Sequence, residues 1–226
     1  MRYIKKIRTG KGYRELLQIH QAGGCYEDTK DDNSKNPPIK TRTNILQDLL
    51  QEQGYICAYC MRRISLENAT IEHIIGQSYK DEDGKEIGKG KDTDYNNMLA
   101  VCNGNSCKKG NHCDKSRSES QSKGRVKLFI SPLKKSQMEN IRFTHSGKIY
   151  YKNLDEESKE NFDLNKVLNL NCSALVESRK RILENIRKLH NYNKDRAKKL
   201  LETWEEKNPE FKEYCQIAIF ELKKYV

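Results

Sequence analysis

The chain has 226 residues with 35% hydrophobic and 33% charged content, enough for one large domain or a compact core with an extension. No apolar run approaches the length of a membrane span, and the basic start MRYIKKIRTGKGYRELL lacks the apolar stretch of a signal peptide. The expectation is a cytoplasmic protein without membrane contact. The formal net charge is +11, and residues 101–150 hold 11 Lys/Arg against 3 Asp/Glu. So concentrated an excess favours a polyanion partner, through phosphate contacts and counterion release, over mere solubility.

In chain order, residues 1–40 read as loosely ordered, with KDDNSKNPP a linker by composition. TRTNILQDLLQEQG then predicts a helix. Thr43 or Asn44 can cap it, Ile45, Leu46, Leu49 and Leu50 share a face, and Gly54 ends it. Residues 61–76 predict a hairpin around the ENA turn, and SYKDEDGKEIGKGKDTD a surface loop. DYNNMLAVC opens a helical or extended segment, GRVKLFISPL reads as a strand stopped by Pro132, and RFTHSGKIYY as a strand pair turning at Ser146-Gly147.

From about residue 173 the periodicity is helical, with Leu175, Ile182, Leu183, Ile186 and Leu189 on one face and NKDRAKKLLETWEEK as a second helix. Asn208-Pro209 reads as the start of a last helix carrying Phe211, Tyr214, Cys215, Ala218, Ile219 and Leu222. These stripes are core packing, and the chain has no internal repeat.

Eight cysteines are present, and a close pair followed by a later cluster suggests metal ligation rather than disulfides in a cytosolic chain. Cys25, Cys172 and Cys215 stand alone and read as free thiols, the last two on helices. Cys57-x2-Cys60 supplies two thiolates from one tight turn, and any two of Cys102, Cys107 and Cys113 complete a four-sulfur Zn2+ site. His112 is a further candidate ligand, although a loop histidine beside a cysteine is the plainer reading. Four protein ligands leave no open position, so such zinc is structural.

Between the two cysteine groups lie Glu72-His73 at the end of a strand-like segment and Asn97 five residues before Cys102; Asp114 directly follows Cys113, and Arg117 comes three residues later. This order suits metal-dependent phosphodiester cleavage. A neutral imidazole takes a proton from water, an oxygen-held divalent cation stabilises charge on the phosphate, and a polar group fixes the imidazole tautomer.

At CAYC, IEHI, NNML with AVC, and CDKSR the sequence resembles the HNH endonucleases of the ββα-metal fold. The resemblance implies His73 as general base, and Glu72, where the family most often has Asp, as a metal carboxylate. It implies Asn97 as the residue orienting the base, Asp114 as second ligand of a catalytic Mg2+ or Mn2+, and Arg117 as a phosphate contact. It pairs Cys102 with Cys113 on zinc, leaving Cys107 as the rival.

LLQEQGYICAYC upstream, and FISPL, SGKIYY and VLNLNCSALVESRKR downstream, are similar to the PtuB-like family of the Septu and retron-associated antiphage systems, over about residues 40–182. That similarity implies a PtuA-like ATPase partner, and in retron-linked systems a reverse transcriptase with its ncDNA. The implied fold is α+β: residues 1–53 an N-terminal extension and helix, residues 54–150 a zinc-stapled ββα-metal (HNH) nuclease module, and residues 151–226 a helical C-terminal region that packs on the module or docks a partner. The expected activity is phosphodiester hydrolysis in nucleic acid, DNA favoured over RNA. The alternatives are a non-catalytic zinc-ribbon nucleic-acid-binding module, and a toxin silent without its partner.

Overall fold

The computed structural model describes all residues except 77–78, 81–82, 89, 106–109, 122–127 and 153–157. The fold is mixed α and β. In chain order come α1 (Lys11–Gln21), a 3-10 turn (Tyr26–Thr29), α2 (Thr41–Gln53), β1 (Ala69–His73), a 3-10 turn (Tyr95–Asn97), β2 (Met98–Cys102) and α3 (Cys113–Gln121). There follow the short α4 (Lys135–Met138), β3 (Ile141–Phe143), β4 (Ile149–Tyr151), the short α5 (Lys159–Phe162) running into a π-helical turn (Asp163–Val167), and then α6 (Ser173–His190), α7 (Lys194–Glu205) and α8 (Cys215–Leu222). Among the described residues no helix is long and apolar enough to cross a membrane.

The expected helix after residue 40 is α2. Ile45, Leu49 and Leu50 are fully buried on one face, and Gly54 closes the helix in the left-handed region at φ 63°. A Cβ at Gly54 would stand 2.5 Å from the Phe211 ring, so the position excludes side chains for backbone and packing reasons alike. The expected cap differs. Thr43 does not cap the helix with its own side chain; the Asp31 carboxylate accepts from both the Thr43 N–H and its hydroxyl. An orphan donor of the first turn is thereby satisfied from outside the helix.

That contact belongs to a larger correction, because residues 1–40 are not loose. α1 lies against α2 with Leu16 buried, Asp48 accepts the Tyr13 N–H at 2.8 Å, and Gly12 runs so close to the α2 backbone that a Cβ would meet Asn44 at 2.2 Å. Lys6 and Glu52 form a buried ion pair at 2.7 Å. Glu52 also accepts from the Ile7 N–H, and Lys6 donates to the Met98 carbonyl, so one pair joins the start of the chain to α2 and β2. Composition suggested a linker because this segment trades apolar contacts for capped turns and paired charges.

The strand expected in residues 61–76 exists as β1, but its partner is not the neighbouring segment. β1 pairs antiparallel with β2, from Ala69 opposite Cys102 to His73 opposite Met98. Residues 56 and 63 make only an isolated bridge. The other edge of β2 is covered by the Gln53 side-chain amide, which accepts the Ala100 N–H and donates to the Ala100 carbonyl, both at 2.8 Å. A polar residue at the end of α2 thus does the work of a third strand.

The second hairpin, β3 with β4, is where RFTHSGKIYY placed it, with Gly147 at φ 88° in the turn. Its outer edge is zipped by two amides: Asn171 pairs with both backbone groups of Ile149, and Asn161 with those of Tyr151. Arg179 on α6 is buried and donates to the carbonyls of Gly147 and Leu170 at 2.6 Å each, clamping turn to helix. The expected strand at GRVKLFISPL lies partly outside the described residues. Over residues 128–132 it is not a strand, and the N–H groups of Phe129 and Ile130 are accepted by the Asp163 carboxylate instead.

The C-terminal helices form as expected, with two shifts. Leu175, Leu183 and Ile186 of α6 are buried, but Leu189 is 49% exposed. Residues 208–211 precede the last helix rather than open it, since α8 begins at Cys215 after a cis Asn208-Pro209 bond. Cys215 is a buried free thiol and Cys25 an exposed one, whereas Cys172 is disulfide-bonded and sits just before α6, correcting the expectation of a free thiol within a helix.

If residues 1–40 are integral to the core, Leu16→Ala should cost about 2–5 kcal/mol of unfolding free energy, the usual range for emptying a fully buried leucine. Chemical denaturation reads this directly. A loss under about 0.5 kcal/mol, typical of an uncoupled surface change, would return the segment to the status of an appendage.

Candidate metal centre and acidic site

Cys57 and Cys60 lie on a turn closed by the Cys57 N–H to the Arg62 carbonyl and the Met61 N–H to the Cys57 carbonyl, with Met61 at φ 65°. Cys102 ends β2, and Cys113 begins α3. The four sulfurs are buried and all lie within 4.8 Å of one another. Cys57 to Cys113 is 3.9 Å and Cys60 to Cys102 is 3.7 Å. A tetrahedral zinc with Zn–S bonds of about 2.3 Å requires sulfurs about 3.8 Å apart, so the two distances are compatible with Zn2+ in the cage.

Cys102 and Cys113 are therefore the second pair, as the resemblance implied; Cys107, the rival, lies outside the described residues. His112 is not one of the four. It is buried with Nδ1 3.2 Å from the Cys113 sulfur and 3.9 Å from that of Cys102, the place of a donor to thiolates. The Cys102 N–H also points at the Cys57 sulfur, at 3.4 Å.

Electrostatics agree with a cation. Burial pushes the Cys60 and Cys113 thiols well up, while the Cys102 thiol is driven down by hydrogen bonds from Cys113, Cys57 and Cys60. Burial thus opposes ionisation of Cys60 and Cys113, a cost that a divalent cation held between the sulfurs would offset.

Gly104 makes the geometry local. At φ 74° it lets its carbonyl accept the His112 N–H at 3.0 Å, and a Cβ there would fall 1.8 Å from the His112 carbonyl oxygen. No side chain fits where the chain returns past itself to present Cys113.

The cysteine frame sets β1 beside α3, and three of the expected site residues meet there. Glu72 is largely buried; its Oε1 takes an ion pair from Arg117 and lies 3.5 Å from the Tyr59 hydroxyl. Asp114, in the first turn of α3, stands close enough to Glu72 for the two carboxyls to interact electrostatically. Burial pushes the Glu72 carboxyl up to about 7, the Arg117 guanidinium opposes this, and the neighbouring Asp114 carboxyl adds to it. Neighbouring carboxyls are the type of donor an oxygen-seeking cation takes.

Arg117 is not placed to meet phosphate. Its side chain is 2% exposed, and its two terminal nitrogens donate to Tyr59, Glu72 and the carbonyls of His73 and Ile74. It is a buried staple between α3 and the end of β1.

His73 takes a different environment. Its Nε2 lies 3.0 Å from the Asp92 carbonyl and its ring stands perpendicular to Tyr26, centroids 4.6 Å apart. Among the described residues no hydrogen bond or ion pair joins the ring to Glu72 or Asp114. A carbonyl only accepts, so Nε2 carries the proton and Nδ1 the lone pair. Burial lowers the imidazole pKa, partly offset by the Asp92 carbonyl, so the ring is neutral at pH 7.

Among the described residues no hydrogen bond joins Asn97 to the imidazole. It accepts the Ile75 N–H and donates to the carbonyls of Ile75 and Lys91 at 2.8–2.9 Å. It thereby fixes the loop beside Asp92. Tyr26, Arg42, Tyr59 and Asp92 are site residues that sequence reasoning missed. Only Tyr59, enclosed in CAYC, carried a signal, since a residue inside a metal turn must face whatever the turn abuts.

No family model matches the chain, and no curated protein matches it.

Zinc content separates the two candidate fourth ligands. Cys113→Ser should purify with well under one zinc per chain, while Cys107→Ser should keep one, by elemental analysis after exhaustive dialysis. The reverse pattern would assign the cage to Cys107.

Proposed function

We propose that the chain is a metal-dependent nuclease of the HNH type, hydrolysing phosphodiester bonds in nucleic acid, DNA ahead of RNA. The observation that carries this reading is the convergence of Glu72 from β1 and Asp114 from α3 on one spot, held by a four-cysteine cage whose ligands flank both elements. The order hairpin then helix, with the cage behind it, agrees with a ββα-metal core. The +11 charge agrees with a polyanionic substrate.

The chain's own residues divide the work as follows. The Asp92 carbonyl holds His73 with Nδ1 as acceptor, and this nitrogen takes a proton from the attacking water. The water oxygen bonds to phosphorus as the bond to the leaving oxygen breaks; that oxygen takes a proton from solvent water, and the protonated His73 returns its own proton to solvent. Arg117 and Tyr59 fix the Glu72 carboxylate. When bound between Glu72 and Asp114, Mg2+ or Mn2+ would supply charge stabilisation on the phosphate and leaving oxygen. The similarity to PtuB-like proteins extends the proposal to an antiphage effector working beside a PtuA-like ATPase.

A non-catalytic zinc-ribbon module binding nucleic acid is the second reading. What favours it is that Glu72 is already engaged by Arg117, and that the His73 ring makes no bond to either carboxylate.

Plasmid and RNA cleavage with Mg2+ or Mn2+, set against EDTA and repeated with any co-encoded ATPase, tests the proposal. His73→Ala should lower the rate by about 10^2–10^4, the contribution of a general base, with zinc content unchanged. Cutting by the alanine variant at the wild-type rate would contradict the assignment. No cutting by the wild type under any of these conditions would favour the binding module.

A further inference from the structure

The seat of the His73 imidazole is built from parts of the chain outside the hairpin and helix, and none of them belongs to the motifs that suggested a nuclease. Tyr26 comes from the 3-10 turn before α2, Arg42 from α2, and Asp92 from the loop before β2. Tyr26 makes two connections to the imidazole. Its ring stands perpendicular to that of His73 at 4.6 Å, and its backbone N–H donates to the Asp92 carboxylate at 2.9 Å. The carbonyl of the same Asp92 takes the Nε2 proton of His73 at 3.0 Å. One residue therefore touches the imidazole and also anchors the group that fixes its tautomer.

Tyr26 is itself held. The Arg42 guanidinium lies 4.3 Å over its ring and donates to its carbonyl at 2.9 Å, while the buried Thr29 hydroxyl donates to that carbonyl at 2.6 Å. Arg42 also reaches the Thr29 oxygen at 3.1 Å. Packing alone would need a ring of suitable volume. It would not need a closed circuit from the Tyr26 backbone through Asp92 to the imidazole.

We propose that Tyr26 is a positioning residue for His73, holding the ring against the Asp92 carbonyl so that Nδ1 stays the free acceptor. The consequence for cleavage rests on the nuclease reading; the seat itself does not.

The chain has five histidines, so 15N NMR on histidine-labelled full-length protein can read the tautomer, with the His73 signals assigned by their loss in His73→Ala. Wild type should show one tautomer with the proton on Nε2. Tyr26→Phe keeps the ring and the backbone N–H and should match it. Tyr26→Ala, or Tyr26→Leu where the smaller side chain fails to fold, should show a mixture of tautomers, with zinc content unchanged. A single unshifted Nε2–H tautomer in the folded variant would overturn the seat, whatever the wild type cuts.

Where the wild type cuts, the same variant should lose about 10- to 100-fold in kcat at an unchanged KM, the scale expected when a reacting group is displaced by about 1 Å. Tyr26→Phe should restore the rate. A loss confined to KM would also overturn the proposal. Absence of any cutting by the wild type would refute the nuclease reading alone, since the tautomer measurement is independent of turnover.

Discussion

Four sulfur atoms hold the functional region together. Lying within 4.8 Å of one another, they join the Cys57–Cys60 turn, the end of β2 and the start of α3. Arg117 adds a second, buried link from α3 to the carbonyls at the end of β1. α3 is a nine-residue helix of strongly polar sequence, too short and too polar to hold its place by apolar burial. Structural zinc contributes about 10–16 kcal/mol of binding free energy, which is folding free energy where the site is absent from the unfolded chain. That is comparable to the whole net stability of an ordinary domain. With metal bound, the cage and Arg117 together would hold Asp114 beside Glu72.

Arg117 shows what that placement demands. Bringing two carboxyls together where one is largely buried is costly, and a single guanidinium both pairs with Glu72 and takes the carbonyls of His73 and Ile74 at the end of β1. The same contacts withdraw Arg117 from any substrate. The site therefore keeps its carboxylates apart from its imidazole: Glu72, Asp114 and Arg117 are organised by the cage and α3, and His73 by Tyr26, Asp92 and Asn97 on the side of α2.

Legibility in the sequence followed the range of the contacts. α2, α7 and the β3–β4 turn could be read because their signals are local: apolar period, caps, and a glycine where φ is positive. The cage could be read because a close cysteine pair has few uses other than a metal. The pairing of β1 with β2 could not, since 24 residues of polar loop separate His73 from Met98 and no local pattern names a strand's partner. Residues 1–40 were misjudged for a related reason. Their order depends on Asp31 reaching Thr43, Asp48 reaching Tyr13 and Lys6 reaching Glu52, contacts that polar composition conceals. Arg117 and Tyr26 were opaque because the same residue type serves as surface charge or buried staple, and only the fold decides between them.

The direct measurement of the cage is zinc K-edge X-ray absorption on the zinc-loaded full-length chain. The account predicts a shell of four sulfurs at about 2.3 Å with no nitrogen neighbour. A shell of three sulfurs and one nitrogen at about 2.0–2.1 Å would contradict it, because the metal would then have drawn in His112 and released the thiolate that anchors either β2 or α3.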